Sequence, residues 1–191
     1  MLTDHDDAFS YGDSLLVGER VRLRATLDAD LPAVAAALMD PAIRVTQSRT
    51  AAPMSEAAAR EMVAEWAANK GADVGFSIET IEDRQLVGHV GLFGTTVKDR
   101  GAEVGIMLLR PYLGQGYGTD AMRLMVGFGF RELGLHRIEL NVYAYNVRAI
   151  ASYRKVGFVE EGRQREAIHH DSQWHDNMQM SILEQEWRAQ R

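Results

Sequence analysis

The chain contains no cysteine. That excludes a disulfide framework, a thiol nucleophile and a thiolate-bound metal, and several enzyme classes with them. It also lacks any apolar run long enough to span a bilayer, and its first residues, Met1 to Asp13, are acidic and polar, unlike a secretory leader. A cytoplasmic protein is expected. Nor is there an excess of positive charge: 21 Lys and Arg stand against 27 Asp and Glu, a formal net charge of −6. Nucleic acid and anionic membranes are therefore disfavoured as partners, although a local basic patch stays compatible with that average. Repeats, low-complexity tracts and linker composition are absent too. What is present is 46% hydrophobic residues in 191, enough for the core of one α+β domain.

Residues 1–14 show no apolar periodicity and read as a flexible lead-in or an arm packed on a partner; residues 15–191 read as the single domain. Val21, Leu23 and Ala25 alternate with Arg20, Arg22 and Arg24, which predicts a strand with one core face and one solvent face. Asp28 or Asp30 can cap a helix running to about Met39, with Pro41 beyond its end. Ser55 caps a second helix whose apolar stripe is Ala59, Met62, Val63, Trp66 and Ala67, ended by Lys70 and Gly71. Three strands follow, Gly75 to Ile81, Gln85 to Phe93 and Ala102 to Leu109, and the short polar breaks between them predict hairpins.

The stretch around which the remainder is organised is Leu113-Gly114-Gln115-Gly116-Tyr117-Gly118-Thr119, three glycines in five residues between a strand and a helix. Glycines let a backbone approach a ligand, and the first turn of the following helix points N–H groups and the positive end of its dipole at an anion. The same residues also suit a plain strand-to-helix turn. No Lys-Ser/Thr pair closes the loop as in a P-loop, and the spacing G-x-G-x-G departs from the dinucleotide fingerprint, although Glu139 stands near where a ribose-binding acid would be. Ala121, Leu124, Met125 and Phe128 then mark a helix stopped by Gly134, and Arg137 to Ala144 a strand. Strand, helix, strand in about 45 residues implies a crossover, hence one parallel pair in a mostly antiparallel sheet. A helix from Val147 to Lys155 and strands at Phe158 to Gly162 and Asn177 to Leu183 complete the chain.

Asn146 at a helix entrance, Tyr153 seven residues on and Gly157-Phe158 at its end follow that crossover. With Ala102-Glu103-Val104-Gly105-Ile106 and Tyr112 to Thr119, this block resembles the GNAT superfamily of acyl-CoA-dependent N-acyltransferases, most of all the branch of ribosomal-protein N-terminal acetyltransferases. The resemblance covers about Leu16 to Trp187. It implies acetyl-CoA as cosubstrate, with cofactor contacts from Ile106, Met107, Leu108, Gly114, Gln115, Gly116, Gly118, Thr119 and Asn146. Pyrophosphate would meet the loop's N–H groups, and pantetheine would lie as an extra strand beside Ile106 to Leu108, where an N–H can stabilise an oxyanion. Many members carry Arg or Gln where Leu113 stands, so main-chain donors would have to suffice here.

The resemblance further implies Tyr153 as the group facing the departing thiolate and Glu103 as the base, acting by direct attack in a ternary complex with no metal. For each residue a structural role competes: a helix cap for Asn146, a core aromatic for Tyr153, an exposed strand carboxylate for Glu103. His169, His170, Asp171, His175 and Asp176 carry metal-ligand residue types, but they lie in a polar stretch read first as a solvated hairpin, with a substrate contact by one of the histidines as the other alternative. The amine acceptor stays open among a protein N-terminus, a polyamine, an amino acid and an amine antibiotic, with the acidic composition favouring a cation. A homodimer is the commonest soluble oligomer. Two rival readings are a non-catalytic acyl-CoA-binding module of the same fold and a dinucleotide binder.

Overall fold

The computed structural model describes residues 3–50 and 52–190. Seven strands form one sheet in the order β1-β2-β3-β4-β5-β7-β6: β1 Val21–Arg24, β2 Val74–Thr80, β3 Leu86–Thr96, β4 Gly101–Leu108, β5 Arg137–Tyr143, β6 Val159–His170 and β7 Gln173–Leu183. Neighbours are antiparallel except β4 and β5. The two short polar breaks do join hairpins, and the helix between β4 and β5 is the crossover that a parallel pair requires. The architecture is α+β.

Helices cover both faces. The helices are α1 His5–Leu15, α2 Leu31–Met39, α3 Pro41–Arg44, α4 Glu56–Trp66, α5 Tyr117–Arg131, α6 Val147–Val156 and α7 Glu184–Ala189, with 3-10 turns at Asp28–Asp30 and Arg110–Tyr112. Strand alternation assigns the faces. Val90, Leu92, Val104, Ile138 and Leu140 pack with Met122, Met125, Val126 and Phe130 of α5, whereas Met107 joins Val34, Ile43, Ala59 and Val63 of α2, α3 and α4. The sheet is thus a partition between an α5 layer and an α2–α4 layer.

Five expectations change. Residues His5–Leu15 form a helix, capped by the Asp4 carboxylate on Asp7 N at 2.9 Å, where aperiodic sequence suggested a lead-in. None of its residues is buried, so its amphipathic signal is weak. The arginine face of β1 is not simply solvated: Arg22 and Arg24 bond Glu79, and Arg24 also bonds Asp30 at 2.7 and 3.0 Å. Asp30 consequently stands at the N-cap of α2 but makes no side-chain capping bond there, because its carboxylate is taken up by Arg24, Ser77 Oγ and Leu27 N. The α5 stripe is also rotated. Leu124 and Phe128 are half-buried, while Met122, Val126 and Phe130 are buried. Finally, the last hairpin is longer than expected, with β6 reaching His170 and β7 beginning at Gln173. Among the described residues no helix is long and apolar enough to cross a membrane.

Candidate functional site

The parallel pairing of β4 and β5 is short. It holds only at Gly101, Ala102 and Glu103 against Arg137, Ile138 and Glu139, after which β4 continues to Leu108 beside β3 and β5 to Tyr143 beside β7 without pairing to each other. The strands part, and a cleft of about 860 Å³ opens between them. Its lining combines β4 from Glu103 to Leu108, the glycine loop, one face of α6 and, beyond the sheet, residues of α3, α4 and the loop after α3.

The glycine loop ends in a helix start that carries no side-chain cap. Gly114 and Gly116 take φ of +76° and +87°, and Gly116 is the N-cap of α5, with no side chain to satisfy the first turn. The first bond of the helix ladder runs from Asp120 N to Gly116 O at 3.1 Å. The N–H groups of Tyr117, Gly118 and Thr119 precede that bond, as the geometry of any helix start dictates. Gly118 is closely packed as well: a Cβ there would lie 3.1 Å from Leu108 Cδ1, so the leucine side chain would have to shift slightly to admit one. Asp120, only 6% exposed, accepts from Arg20 N at 2.8 Å and Val21 N at 3.0 Å, which locks the start of β1 to the start of α5. Thr119 Oγ1 and Ser152 Oγ, 2.7 Å apart, tie α5 to α6.

Asn146 caps α6 through Ala149 N at 3.3 Å and also lines the cleft. Tyr153, one turn from the end of α6, lines it as well, its ring beside Phe158. Burial pushes its phenol up to about 12. Glu103 stands across the cleft on β4, exposed, and accepts from Asn141 Nδ2 at 3.5 Å. Asn141 Oδ1 in turn accepts from Asn177 Nδ2, and Asn177 bonds Gln164 Oε1, each at 3.2 Å. The chain of amides orients Glu103 from β5 to β6.

Of the residues picked from sequence, Glu103, Ile106, Met107, Leu108, Gly114, Gly116, Gly118, Thr119, Asn146 and Tyr153 all line this cleft. Gln115 does not. Its side chain donates to Pro111 O at 2.7 Å, and its carbonyl accepts from Arg20. The Ile106 carbonyl already accepts from Gln47 Nε2 at 3.2 Å. Gln47, Arg49, Trp66, His89 and Asn141 line the side facing the α2–α4 layer and carry no local sequence signal for a site. Asp120 had one, an acid in the first turn of a helix behind a glycine loop. The histidines of the last hairpin enter ring contacts, His169 with Trp174, His170 with Tyr143 and Tyr145, and His175 with Tyr145.

Comparison with known proteins gives the family and the fold. Residues 20–159 match the family described as acetyltransferase (GNAT) domain. The chain is similar to the probable N-acetyltransferase YjcK of Bacillus subtilis, 37% identical over 112 residues, covering 56% of this chain and 60% of that protein. It is 28% identical over 117 residues to the putative ribosomal N-acetyltransferase YdaF of the same organism, covering 61% of this chain and 64% of that protein. The alignments thus span less than two thirds of those relatives' lengths. Among solved structures, spermidine N-acetyltransferase of Vibrio cholerae in complex with CoA and spermine superposes with a TM-score of 0.78 at 25% identity, over 88% of this chain and 98% of that one.

Proposed function

The chain belongs to the GNAT acetyltransferase family, and we propose that it is an acetyl-CoA-dependent N-acetyltransferase, with residues 15–191 as its one catalytic domain. The observation that carries this reading is the parting of β4 from β5 beside the open N-terminus of α5, within one cleft. A coenzyme A moiety fits what is there. Loop and helix N–H groups supply donors to a pyrophosphate, each such charged bond contributing roughly 1.5–3 kcal/mol, with about 0.3–1 kcal/mol more from the dipole. The unpaired edge of β4 from Val104 to Leu108 suits an extended pantetheine arm, and Asn146 a contact along it.

Acetyl-CoA supplies the acetyl group as a thioester; the protein has to orient an amine and manage two protons. A carbon–nitrogen bond forms and the carbon–sulfur bond breaks, one proton leaving nitrogen and one reaching sulfur. Glu103, held by Asn141, is placed to receive the first, directly or through water. Tyr153, in the lining of the same cleft, is the residue this reading sets beside the departing sulfur. A phenol at about 12 lies some 3.5 units above a thiol near 8.5, so full proton donation is uphill by about 5 kcal/mol. Tyr153 therefore acts as a hydrogen-bond donor to the leaving sulfur. Acceptors of the reading are a protein N-terminus or a small amine.

Two measurements test it. Thermal shift should show stabilisation by acetyl-CoA and none by NAD, and thiol release should appear when an amine panel is added. Stabilisation by NAD alone would return the dinucleotide reading. Binding of acetyl-CoA without thiol release would mark a non-catalytic acyl-CoA-binding module.

A further inference from the structure

The whole molecule is acidic, yet its cleft is not. Among the described lining residues Glu103 is the single carboxylate, against three cations, Arg49, Arg148 and Lys155. Each of these three lacks an ion pair or hydrogen bond to the described residues, whereas ten other arginines are paired. Arg148 and Lys155 stand on α6, on the glycine-loop side, where phosphates would lie. Arg49 stands elsewhere, in the loop after α3 that walls the α2–α4 side.

That loop is held rather than free. Gln47 Nε2 fastens it to β4 at Ile106 O, and the Tyr145 hydroxyl fastens it to the β5 end of the cleft at Val45 O. Arg44 donates to Thr50 O at 3.0 Å and Ala52 O at 2.9 Å, closing the turn around Arg49 from behind. The guanidinium so presented acts on the Tyr143 phenol, which burial raises and the Arg49 charge lowers. Tyr143 shares the face of β5 with Asn141, the residue that orients Glu103. An amine at Glu103 thus has an uncommitted cation on the same wall, with the rings of Trp66 and Phe93 and the buried His89 lining the same side.

Resting on the transferase reading above, we propose that Arg49 is a specificity residue that binds a carboxylate of the acceptor, so that the substrate is an amine carrying an anionic group and not a polyamine. A polycation would meet one carboxylate and an unneutralised arginine in this cleft. An amino acid, or a peptide amine with an acidic group near its terminus, meets one charge of each sign. The arrangement discriminates by repulsion as well as attraction.

The test uses the full chain with acetyl-CoA and matched probes: phenylalanine and its amide, alanyl-aspartate and alanyl-lysine, and spermidine. Wild type should prefer the acidic member of each pair, and Arg49→Ala should lower that preference roughly ten- to hundredfold, the worth of a charged hydrogen bond. Comparing acid-to-amide ratios between the two proteins cancels the difference in amine basicity. Arg49→Lys should retain part of the preference. Spermidine as the best acceptor of wild type, or ratios unchanged by Arg49→Ala, would overturn the proposal. So would a rise in KM for acetyl-CoA with the acceptor KM unmoved, since Arg49 would then serve a cofactor phosphate. Calorimetric titration of the same probes, with and without coenzyme A, reads acceptor binding independently of transfer. Should no probe be acetylated, the transferase reading falls; tighter binding of the acids lost in Arg49→Ala would still sustain the arginine's role, and equal binding would end it.

Discussion

Replacement of His89 by Gln should flatten the acid limb of the stability curve. His89 lies on β3, 3% exposed, opposite Ser77 on β2 and Met107 on β4, with the Trp66 ring 6.3 Å away. Its Nε2 has no hydrogen-bond partner among the described residues. Burial pushes its pKa down to about 4, opposed by the Asp30 carboxylate. In the unfolded chain the same imidazole titrates near 6.5. Between these values the unfolded state binds the extra proton, so stability falls as pH falls through the window. The loss is about 2 kcal/mol at pH 5 and approaches about 3.4 kcal/mol below pH 4, a large part of the 5–15 kcal/mol typical of a domain. Asp30 and Glu79, held below the usual carboxylate range by Arg24 and, for Glu79, Arg22 despite the burial that opposes this, lose their contribution only at lower pH. The interval from about pH 6.5 to 5 therefore isolates the histidine. Urea unfolding across it should show the wild-type slope reduced in His89→Gln, whatever packing the substitution costs at neutral pH. Parallel slopes for the two proteins would refute the buried, neutral His89.

Four other substitutions have outcomes that follow from the site. Tyr153→Phe should lower kcat by roughly ten- to hundredfold, the worth of one hydrogen bond to a charged group, with acetyl-CoA affinity by calorimetry nearly unchanged; an unaltered chemical step in single-turnover kinetics would remove Tyr153 from the reaction. Gly116→Val should abolish the acetyl-CoA thermal shift, because φ of +87° excludes a β-branched residue although space for a Cβ exists, while Leu113→Ala should leave that shift almost intact. Asp120→Ala removes the acceptor of two backbone N–H groups and should cost about 2–5 kcal/mol in urea unfolding; loss below about 1 kcal/mol would show that the joint of β1 and α5 does not depend on it.

Much of the fold was legible because periodicity is local. Alternation marked Val21 and Leu23, Val104 and Ile106, and Ile138 and Leu140 as strand residues with a buried face, and the shortness of the breaks made β2, β3 and β4 hairpin neighbours. The last hairpin was read too short because most of β6 is exposed at the sheet edge, paired with β7 alone, and a strand without a buried face shows no contrast. The same reason hid α1.

The site divides along the same line. Sequence by itself determined the half that is contiguous: the glycine loop opening α5, and Asn146 and Tyr153 at fixed spacing on α6, since loop and helix geometry follow from neighbours in the chain. Strand alternation also put Glu103 on β4, where it lines the cleft. Only tertiary structure decided the facing half. Arg49 meets the cleft because Gln47 reaches Ile106, 59 positions away, and Glu103 is oriented by Asn141, 38 positions away. It also moved Gln115 out, through Pro111 and Arg20. Side-chain contacts across a sheet depend on which strands become neighbours, and no local pattern carries that. The acidic composition pointed to a cationic acceptor, whereas among the described residues the lining that folding assembles holds three cations and one carboxylate, because net charge is a sum over the surface and a cleft is a small selection from it.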